Sequence, residues 1–269
     1  MKIIVLVKYV PDIEVGYRFK PDGRLDRSGE GLLNQLDEYP LEAARRLVSQ
    51  VDAAADSTVT ALTVGPDEAE EAIRRALQMG ADRGVHICDQ AIAGSDALGT
   101  SLVLAAAINQ LGGADLILCG ASSADSATSL IPVQLAARLQ IPALTGAASL
   151  AVNGAQVTAC RLTDNAMIES RTPLPALVSL TDQAEQPTYP SAKAVMLARR
   201  KPVEVYDLAD LGLAPSSVGC DAARVKVLGV EPAIRRVGGR LVDASSDDAV
   251  AALVALLRDN ALIPVGGGA

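Results

Sequence analysis

Hydrophobic residues in the first half of the chain alternate between two patterns. Short apolar runs rich in β-branched residues predict buried parallel strands, and they lie at residues 3–7, 58–64, 85–88 and 114–119. Apolar residues at helical spacing separate these runs and predict helices over residues 40–51, 67–79, 95–111 and 129–139. This β-α-β-α alternation over residues 1–142 predicts an α/β domain with an open, mostly parallel, doubly wound sheet.

The pattern changes after Pro142. Residues 147–152 and 156–162 flank the pair Asn153-Gly154, which predicts a β-hairpin with a type I′ turn, because both residues tolerate positive φ angles. Residues 176–181 predict one further strand. An antiparallel hairpin is therefore expected beside the parallel sheet.

Periodicity is weak at two places outside these elements. Residues 11–27 contain a Pro-Asp-Gly turn signal and predict a loop or small hairpin. From residue 202 the pattern is also weak, until a terminal helix is predicted over residues 247–258. We therefore expect residues 1–201 to form the α/β domain and residues 202–269 to form a C-terminal arm that packs on another protein.

The composition narrows the classes of function. Hydrophobic residues make up 49% of the 269 residues but aromatic residues only 2%, so the core must consist of Ala, Val, Leu and Ile. Few aromatic side chains and a net charge of −8 argue against binding to nucleic acid or to anionic membranes. No apolar run approaches the length of a membrane span, and residues 1–8 are too short and too charged for a signal peptide. We expect a cytoplasmic protein without membrane insertion.

Cysteine and histidine are sparse. The four cysteines are far apart in sequence, and His86 is the single histidine, so neither a metal site nor a disulfide framework is predicted. No serine or cysteine nucleophile is paired with a histidine motif, so no catalytic residue is expected. His86 falls on a predicted strand, where a structural role is expected.

A loop of small residues between a predicted strand and a predicted helix is the first candidate site. Such a loop can present free N–H groups and hydroxyls to a phosphate, but the same residues can also simply cap the helix. Its candidate residues are Gly120, Ser123, Asp125, Ser126, Thr128 and Ser129. The loop carries neither a Walker motif nor a dinucleotide-binding glycine motif, so the two readings remain open.

Two further segments are candidates. Asn34 and Asp37 precede a predicted helix, where they either cap it or meet a nucleotide that crosses the carboxyl ends of the strands. Residues 187–191 form an extended Pro-x-Tyr-Pro-Ser stretch that runs into a short basic helix ending at Lys201. This stretch indicates either a partner-docking loop or a solvated basic face.

Together these segments resemble the β subunit of electron transfer flavoproteins over nearly the whole chain. Residues 76–83 are close to the A-L-A-M-G-A-D-R motif of that family, and residues 187–202 resemble its docking signature. Residues 5–8 match its V-x-V-K opening, residues 34–38 its N-P-x-x-E segment, and residues 120–125 its G-x-Q-A-x-D loop. The order and spacing of these matches carry the resemblance.

The resemblance implies a Rossmann-like fold of the adenine-nucleotide α-hydrolase type and a heterodimer with an α subunit. In the family, FAD lies mostly on the α subunit at the interface, and the β subunit buries AMP, or in some relatives a second FAD. The pair carries electrons from a flavin dehydrogenase to a quinone reductase or another acceptor. The C-terminal arm would then pack on the α subunit.

The resemblance also assigns roles to individual residues. Cofactor contacts fall on Leu6, Val7, Lys8, Asn34, Asp37, Val64, Gly65, Gly120, Ser123, Asp125, Ser126, Thr128 and Ser129. Partner docking falls on Tyr189, Ala192, Lys193, Met196, Arg199 and Arg200.

The chain departs from the family pattern at several of these positions. Side-chain amides are lost from the loop after Asp125, which leaves open whether the nucleotide slot holds AMP, FAD or nothing. Ala192 stands where the family has a leucine that fills a pocket on the dehydrogenase, Thr188 where it has an arginine, and Ile13 where it has an aromatic residue near the flavin. These changes favour an unusual redox partner. The alternative is a stand-alone adenine-nucleotide-binding protein with the same α/β fold.

Overall fold

The computed structural model describes residues 1–12, 14, 16–50, 57–184, 186–231 and 247–263. The chain divides into two compact units, Met1–Gly229 and Val230–Ala269. Ile13, which stands where the family has an aromatic residue near the flavin, lies outside the described residues.

The elements of the chain alternate as the sequence predicts. In chain order the strands are β1 (Lys2–Leu6), β2 (Tyr9–Pro11), β3 (Gly31–Leu33), β4 (Thr58–Val64), β5 (Arg83–Ile87), β6 (Leu116–Gly120), β7 (Ala143–Ala147), β8 (Ser149–Asn153), β9 (Gln156–Leu162), β10 (Met167–Pro173), β11 (Ala176–Leu180) and β12 (Val203–Tyr206). The helices are α1 (Glu38–Gln50), α2 (Glu70–Gln78), α3 (Ala97–Gln110), α4 (Ile131–Leu139), α5 (Ala192–Ala198), α6 (Gly219–Ala222) and α7 (Asp247–Asp259).

Seven strands form one parallel sheet in the order β12-β5-β4-β1-β6-β11-β7. The first strand lies in the interior, and the chain extends the sheet first on the β4 side and then on the β6 side. The direction of winding therefore reverses between β1 and β6, where a crevice opens beyond the carboxyl ends of the two strands. The predicted doubly wound α/β fold is confirmed.

Each face of the sheet is covered by a pair of helices. On β1, Ile3 and Val5 join one hydrophobic core with α1 and α2, while Ile4 and Leu6 join the other with α3 and α4. Because both faces are buried, the parallel strands are apolar at successive positions rather than at alternate ones. Small aliphatic side chains fill both cores, which explains how the fold forms with few aromatic residues.

The predicted hairpin is present, but its turn differs from the prediction. Asn153 pairs with Gln156 at the end of the ladder, so the two loop residues are Gly154 and Ala155. Positive φ occurs at Gly154 (58°) and not at Asn153 or Ala155, a pattern that fits a type II′ turn rather than type I′. The strand β10, which the sequence analysis missed, pairs with β9 and extends the hairpin to three antiparallel strands. Most of its residues are exposed, so it has no apolar run to reveal it.

The first unit extends past the boundary predicted at residue 201. The strand β12 pairs with β5 in the central sheet, and the compact unit continues to Gly229. The sequence shows no clear apolar pattern for this strand, because it is short, lies at a sheet edge and is only partly buried. Packing of the remaining C-terminal residues on another protein stays a prediction. No helix among the described residues has the length and hydropathy to cross a membrane.

Gly84 on β5 allows α2 to approach the sheet closely. A Cβ atom added at this position would lie 2.2 Å from Cγ2 of Ile73, a residue of α2 that is fully buried. We predict that Gly84→Ala lowers the free energy of unfolding by about 1–3 kcal/mol, because the helix must move to relieve the overlap. Urea denaturation measures this change. Gly29→Ala, where an added Cβ meets nothing within 4 Å, is the control. Equal stability of the two variants would contradict the prediction.

Candidate functional site

The predicted site residues gather at the point where the sheet reverses its winding. Lys8 follows β1 by two residues, and the loop from residue 121 to residue 130 follows β6. These strands are neighbours in the sheet, so their carboxyl ends open into the same crevice. Open α/β sheets bind their ligands at this type of position.

A buried carboxylate lies at the centre of this site. The side chain of Asp125 is 0% exposed, and its Oδ1 lies 2.9 Å from Nζ of Lys8. The guanidinium of Arg27 pairs with the other carboxylate oxygen. Nζ of Lys8 also lies 3.2 Å from Oγ of Ser123 and 3.5 Å from Oγ of Ser126. Two cations and two hydroxyls therefore surround one carboxylate.

The charge state of Asp125 follows from these contacts. Burial by itself would raise the pKa of the carboxyl, since a low-dielectric environment disfavours the charged form. The ammonium of Lys8, the hydroxyl of Ser123 and the guanidinium of Arg27 outweigh burial and hold the pKa well below its usual range. Asp125 is therefore an anion that neutralises part of the positive charge of the site.

Asn34 ties the segment before α1 to the same loop. Its Nδ2 donates to the carbonyl of Ser122 at 3.0 Å, and its Oδ1 accepts from the N–H of Ala124 at 3.0 Å. The side-chain amide of Asn34 thus both donates to and accepts from the backbone of the loop, as the backbone of a neighbouring strand would. It makes no capping hydrogen bond to the helical turn that follows, so the capping interpretation of Asn34 is wrong.

The carboxylate of Asp37 also holds backbone groups of the site in place. Its Oδ2 accepts from the N–H of Lys8 at 2.8 Å, and the N–H of Gly120 also donates to this carboxylate. A Cβ at position 120 would lie 2.5 Å from Oδ1 of Asp37 and 3.0 Å from the backbone of Leu36, so only glycine fits there. Burial raises the pKa of Asp37 to about 7, although these hydrogen bonds oppose the shift. Like Asn34, Asp37 joins strand ends rather than capping α1.

The end of the loop, before α4, is exposed. Thr128 and Ser129 are exposed, and Ala127 and Ser129 have positive φ angles of 47° and 52°, an uncommon conformation for residues other than glycine. The helix α4 begins at Ile131, two residues later than predicted, and no side chain caps it at Leu130. Within the described residues, no acceptor is found for the N–H groups of Thr128, Ser129 and Leu130. The capping interpretation of this loop is therefore wrong.

The remaining predicted cofactor residues lie at strand ends but do not join this network. Leu6 and Val7 are buried in the two cores, and the N–H of Val7 donates to the carbonyl of Leu62. Val64 is the last residue of β4, and Gly65 follows it. The carbonyl oxygen of Gly65 lies 3.1 Å from Nε2 of His86. His86 is 2% exposed, which agrees with its predicted structural role. Ligand contact at these four residues stays a prediction.

Two residues of the site were not predicted from the sequence. Arg27 reaches Asp125, and Oη of Tyr17 donates to the carbonyl of Ala124 at 2.8 Å. Both lie in the segment predicted as a loop or small hairpin, which folds over the site with a bridge between Phe19 and Leu25. This segment is polar and lacks periodicity, so nothing in it signals which side chains face the sheet.

The predicted docking segment forms a second, separate surface. Residues 186–191 have no regular secondary structure, and α5 follows, with Oγ of Ser191 accepting from the N–H of Ala194 at its start. All six predicted docking residues are exposed: Tyr189, Ala192, Lys193, Met196, Arg199 and Arg200. Lys201 differs from them, because its Nζ donates to the carbonyls of Leu77 and Ala81 at the end of α2. It stabilises the end of that helix instead of presenting charge to a partner.

Comparison with known proteins decides the family. The model of the electron transfer flavoprotein domain matches residues 22–211. The electron transfer flavoprotein subunit beta of Mycobacterium leprae is 35% identical over 91% of this chain and 93% of its own length. The chain belongs to the electron transfer flavoprotein family. The resemblance inferred from the sequence is confirmed.

Other members of the family are similar over comparable lengths. The electron transfer flavoprotein subunit beta of Megasphaera elsdenii is 31% identical over 92% of this chain and 93% of its own. The caffeyl-CoA reductase-Etf complex subunit CarD of Acetobacterium woodii is 30% identical over 98% of this chain and all of its own. The family match includes Arg27, the loop around Asp125 and the docking segment. Within the described ranges, no group of three His, Cys, Asp or Glu side chains could hold a metal ion.

The raised pKa of Asp37 predicts a pH dependence of stability. The folded state binds this proton more tightly than the unfolded state, whose pKa is near the ordinary value. The raised pKa of Asp37 therefore does not lower the free energy of unfolding in acid, where the carboxyl is protonated in both states. It lowers this free energy progressively as the pH rises towards 7. Between pH 5 and pH 8, we predict that the unfolding free energy of the wild type falls relative to that of Asp37→Asn by roughly 3 kcal/mol. Parallel pH profiles of the two proteins, measured by urea denaturation, would show that Asp37 titrates normally.

The ion pair at the centre of the site predicts a thermodynamic coupling. Lys8→Met leaves the buried carboxylate of Asp125 with one cation fewer. We expect a loss of about 2 kcal/mol in unfolding free energy, less than for a fully buried pair because the Lys8 side chain is 39% exposed. In the Asp125→Asn background the same change should cost at least about 1 kcal/mol less. Additive costs in this double-mutant cycle would mean that the two side chains do not interact.

Proposed function

We propose that this chain is the β-type subunit of a heterodimeric electron transfer flavoprotein. It would carry electrons from a flavin dehydrogenase to a quinone reductase or another acceptor. The observation that carries the proposal is the similarity to β subunits over about nine-tenths of both chains. The loop, strand ends and docking segment that the resemblance singles out all lie within the first compact unit.

The residues of the site fit the phosphate of a nucleotide. Lys8 and Arg27 supply positive charge, Ser123 and Ser126 supply hydroxyls, and the loop before α4 supplies free N–H groups. Fixed donors of this kind hold an anion without reorganising. We infer that the slot holds an adenine nucleotide, AMP or the adenylate part of an FAD. Contacts from Thr128 and Ser129 belong to this proposal.

The flavin would be shared with an α subunit. When bound, FAD supplies the one- and two-electron chemistry, and this chain supplies a wall of the cradle. The relatives named as electron transfer subunits support a carrier subunit without a catalytic site of its own. The described part of α7 exposes Val250, Leu253 and Leu256, which supports a C-terminal arm that packs on the α subunit.

The redox partner is inferred to be a flavoprotein that acts on CoA esters. One relative is named as a subunit of a caffeyl-CoA reductase complex, and another, from Anaerotignum propionicum, as the acryloyl-CoA reductase electron transfer subunit gamma. The latter is 35% identical over 77% of this chain and 78% of its own. All four cysteines are free, which supports the proposal of a reducing, cytoplasmic location.

One observation favours a second function. Lys8, Arg27 and Asp125 form the phosphate-facing site within a single chain, as a stand-alone adenine-nucleotide-binding protein requires. In that case no partner would be needed for binding. Calorimetry of the isolated chain with AMP and with ATP separates the two functions. Tight binding of ATP by the chain alone, with no flavin recovered in any complex, would favour the stand-alone protein.

Co-expression tests the proposed function directly. The chain is produced together with an electron transfer flavoprotein α subunit from the same organism, and the complex is purified through a tag on this chain. We expect a yellow one-to-one heterodimer with the absorption spectrum of an oxidised flavin. A colourless chain that elutes alone, with an α-type subunit that is folded in the same extract, would contradict the proposal.

A further inference from the structure

Residues 16–29 form a short hairpin that is held together by its own backbone. The N–H of Lys20 donates to the carbonyl of Arg24 at 2.8 Å. The N–H of Asp26 donates to the carbonyl of Arg18, also at 2.8 Å. These bonds stay intact when the hairpin moves as a whole, so it is able to move as one rigid piece. We call this hairpin the strap.

Two side chains of the strap hold it against the loop after β6. Oη of Tyr17 donates to the carbonyl of Ala124 at 2.8 Å. The guanidinium of Arg27 pairs with Oδ2 of Asp125, whose side chain is fully buried. These two side chains form a latch that keeps the strap on the loop to which the proposed nucleotide binds.

No apolar side chain anchors the strap in the core. All side chains of residues 16–29 are exposed or half-buried. Besides the latch, the guanidinium of Arg24 contacts Sγ of Cys220 in α6, which is again a polar contact. Segments held by a few polar contacts open at a lower free energy than segments packed in a core. The strap is therefore able to leave the loop while the sheet and its helices stay folded.

Glycines stand at both ends of the strap. Gly16 has a φ of 82°, a conformation that residues other than glycine rarely adopt. A Cβ atom added at Gly16 or at Gly29 would meet nothing within 4 Å, so both positions lie in open space. Small residues at the ends of a moving segment often absorb its backbone rotation. The two glycines are therefore suited to act as hinges.

The strap is basic although the protein is acidic. It carries four basic and two acidic side chains, whereas the complete chain has a net charge of −8. The phosphate of a nucleotide in the slot attracts such a strap towards the loop. The closed position is favoured even without a ligand, because opening takes Arg27 away from the buried carboxylate of Asp125 and leaves it only Lys8. An open strap is therefore a minor state.

We propose that the strap closes over the nucleotide slot with Tyr17 and Arg27 as its latch, and that a nucleotide enters and leaves when the strap swings open about Gly16 and Gly29. This inference rests on the proposed function and adds how its slot exchanges ligand. The latch slows entry and exit alike, because both require the open strap. A side chain that only contacts the bound nucleotide would change the exit rate alone.

Binding kinetics of a labelled nucleotide test the strap. The probe is AMP with a fluorescent methylanthraniloyl group on its ribose, mixed rapidly with the full chain freed of nucleotide, or with the heterodimer where it forms. Tyr17→Phe removes one hydrogen bond of the latch and no charge. The association and dissociation rate constants should therefore both rise about fivefold, while Kd changes by less than about twofold. Tyr206→Phe on the edge strand β12 is the matched control, because it removes a hydroxyl hydrogen bond to Glu204 instead. It should leave both rate constants unchanged.

Fluorine NMR tests the latch without any nucleotide. The protein is labelled with 3-fluorotyrosine, and the signal of Tyr17 is assigned with Tyr17→Phe. Arg27→Met removes the contact with Asp125, so the Tyr17 signal should move towards its position in the urea-unfolded protein. Arg18→Met removes an exposed cation of the strap that is not part of the latch and should leave the signal in place. A Tyr17 signal that is the same in Arg27→Met and in the wild type would overturn the latch.

The outcomes separate this inference from the proposed function. A wild type that binds neither AMP nor FAD contradicts the nucleotide slot of the proposed function, whereas the fluorine signal still tests the latch. Rate constants of Tyr17→Phe equal to those of the wild type overturn the role of the strap in ligand exchange. A rise confined to the dissociation rate constant overturns it as well, since Tyr17 would then be a ligand contact and not a latch.

Discussion

The carboxylate of Asp125, buried between two cations, is the interaction on which the geometry of the site depends. A buried carboxylate without partners would be strongly destabilising, so Lys8 and Arg27 must stay beside it. The three residues come from the end of β1, the polar hairpin after it and the loop after β6. The requirement of one buried carboxylate for charged partners therefore brings three distant segments together. The exposed parts of the Lys8 and Arg27 side chains, together with the nearby hydroxyls, form a surface suited to an anion.

The helix α1 connects this site to the predicted docking segment. Before its first turn, Asn34 and Asp37 hold the ends of β1 and β6, and one turn into the helix Glu42 holds Thr188. The two surfaces are thus fixed to the same short stretch of chain. Because α1 also packs its apolar residues in the core of the sheet, neither surface can shift without disturbing the fold. The candidate site and the predicted docking segment are therefore held at a set separation.

Elements that bury apolar residues could be predicted from the sequence, and elements held by polar contacts could not. The run at residues 58–64 became β4 with the predicted bounds, because both faces of this strand are buried. In contrast, β10 and β12 pair at sheet edges with partly exposed residues and show no periodicity. The turn of the hairpin was predicted from Asn153-Gly154, but the pairing of Asn153 shifted the loop by one residue. Register depends on cross-strand packing that local propensity does not contain.

The site shows the same limit in its side chains. Lys8, Asp37 and Asp125 could be placed at strand ends by their spacing, but Arg27 and Tyr17 reach the site through a fold of the hairpin that only the structure reveals. Likewise, Lys201 was grouped with the docking residues because it is basic and adjacent to them, whereas it turns inward to the end of α2. Charge identifies a residue that needs a partner, but it does not say which partner.

The charge state of Asp125 tests the central claim most directly. Carbon-13 NMR of the protein labelled at aspartate, assigned with Asp125→Asn, follows this carboxyl as the pH is lowered. Because Lys8 and Arg27 hold its pKa well below the usual range, its signal should remain that of a carboxylate at about pH 3, where ordinary aspartates are largely protonated. A signal that titrates near pH 4 together with the exposed aspartates would contradict the account.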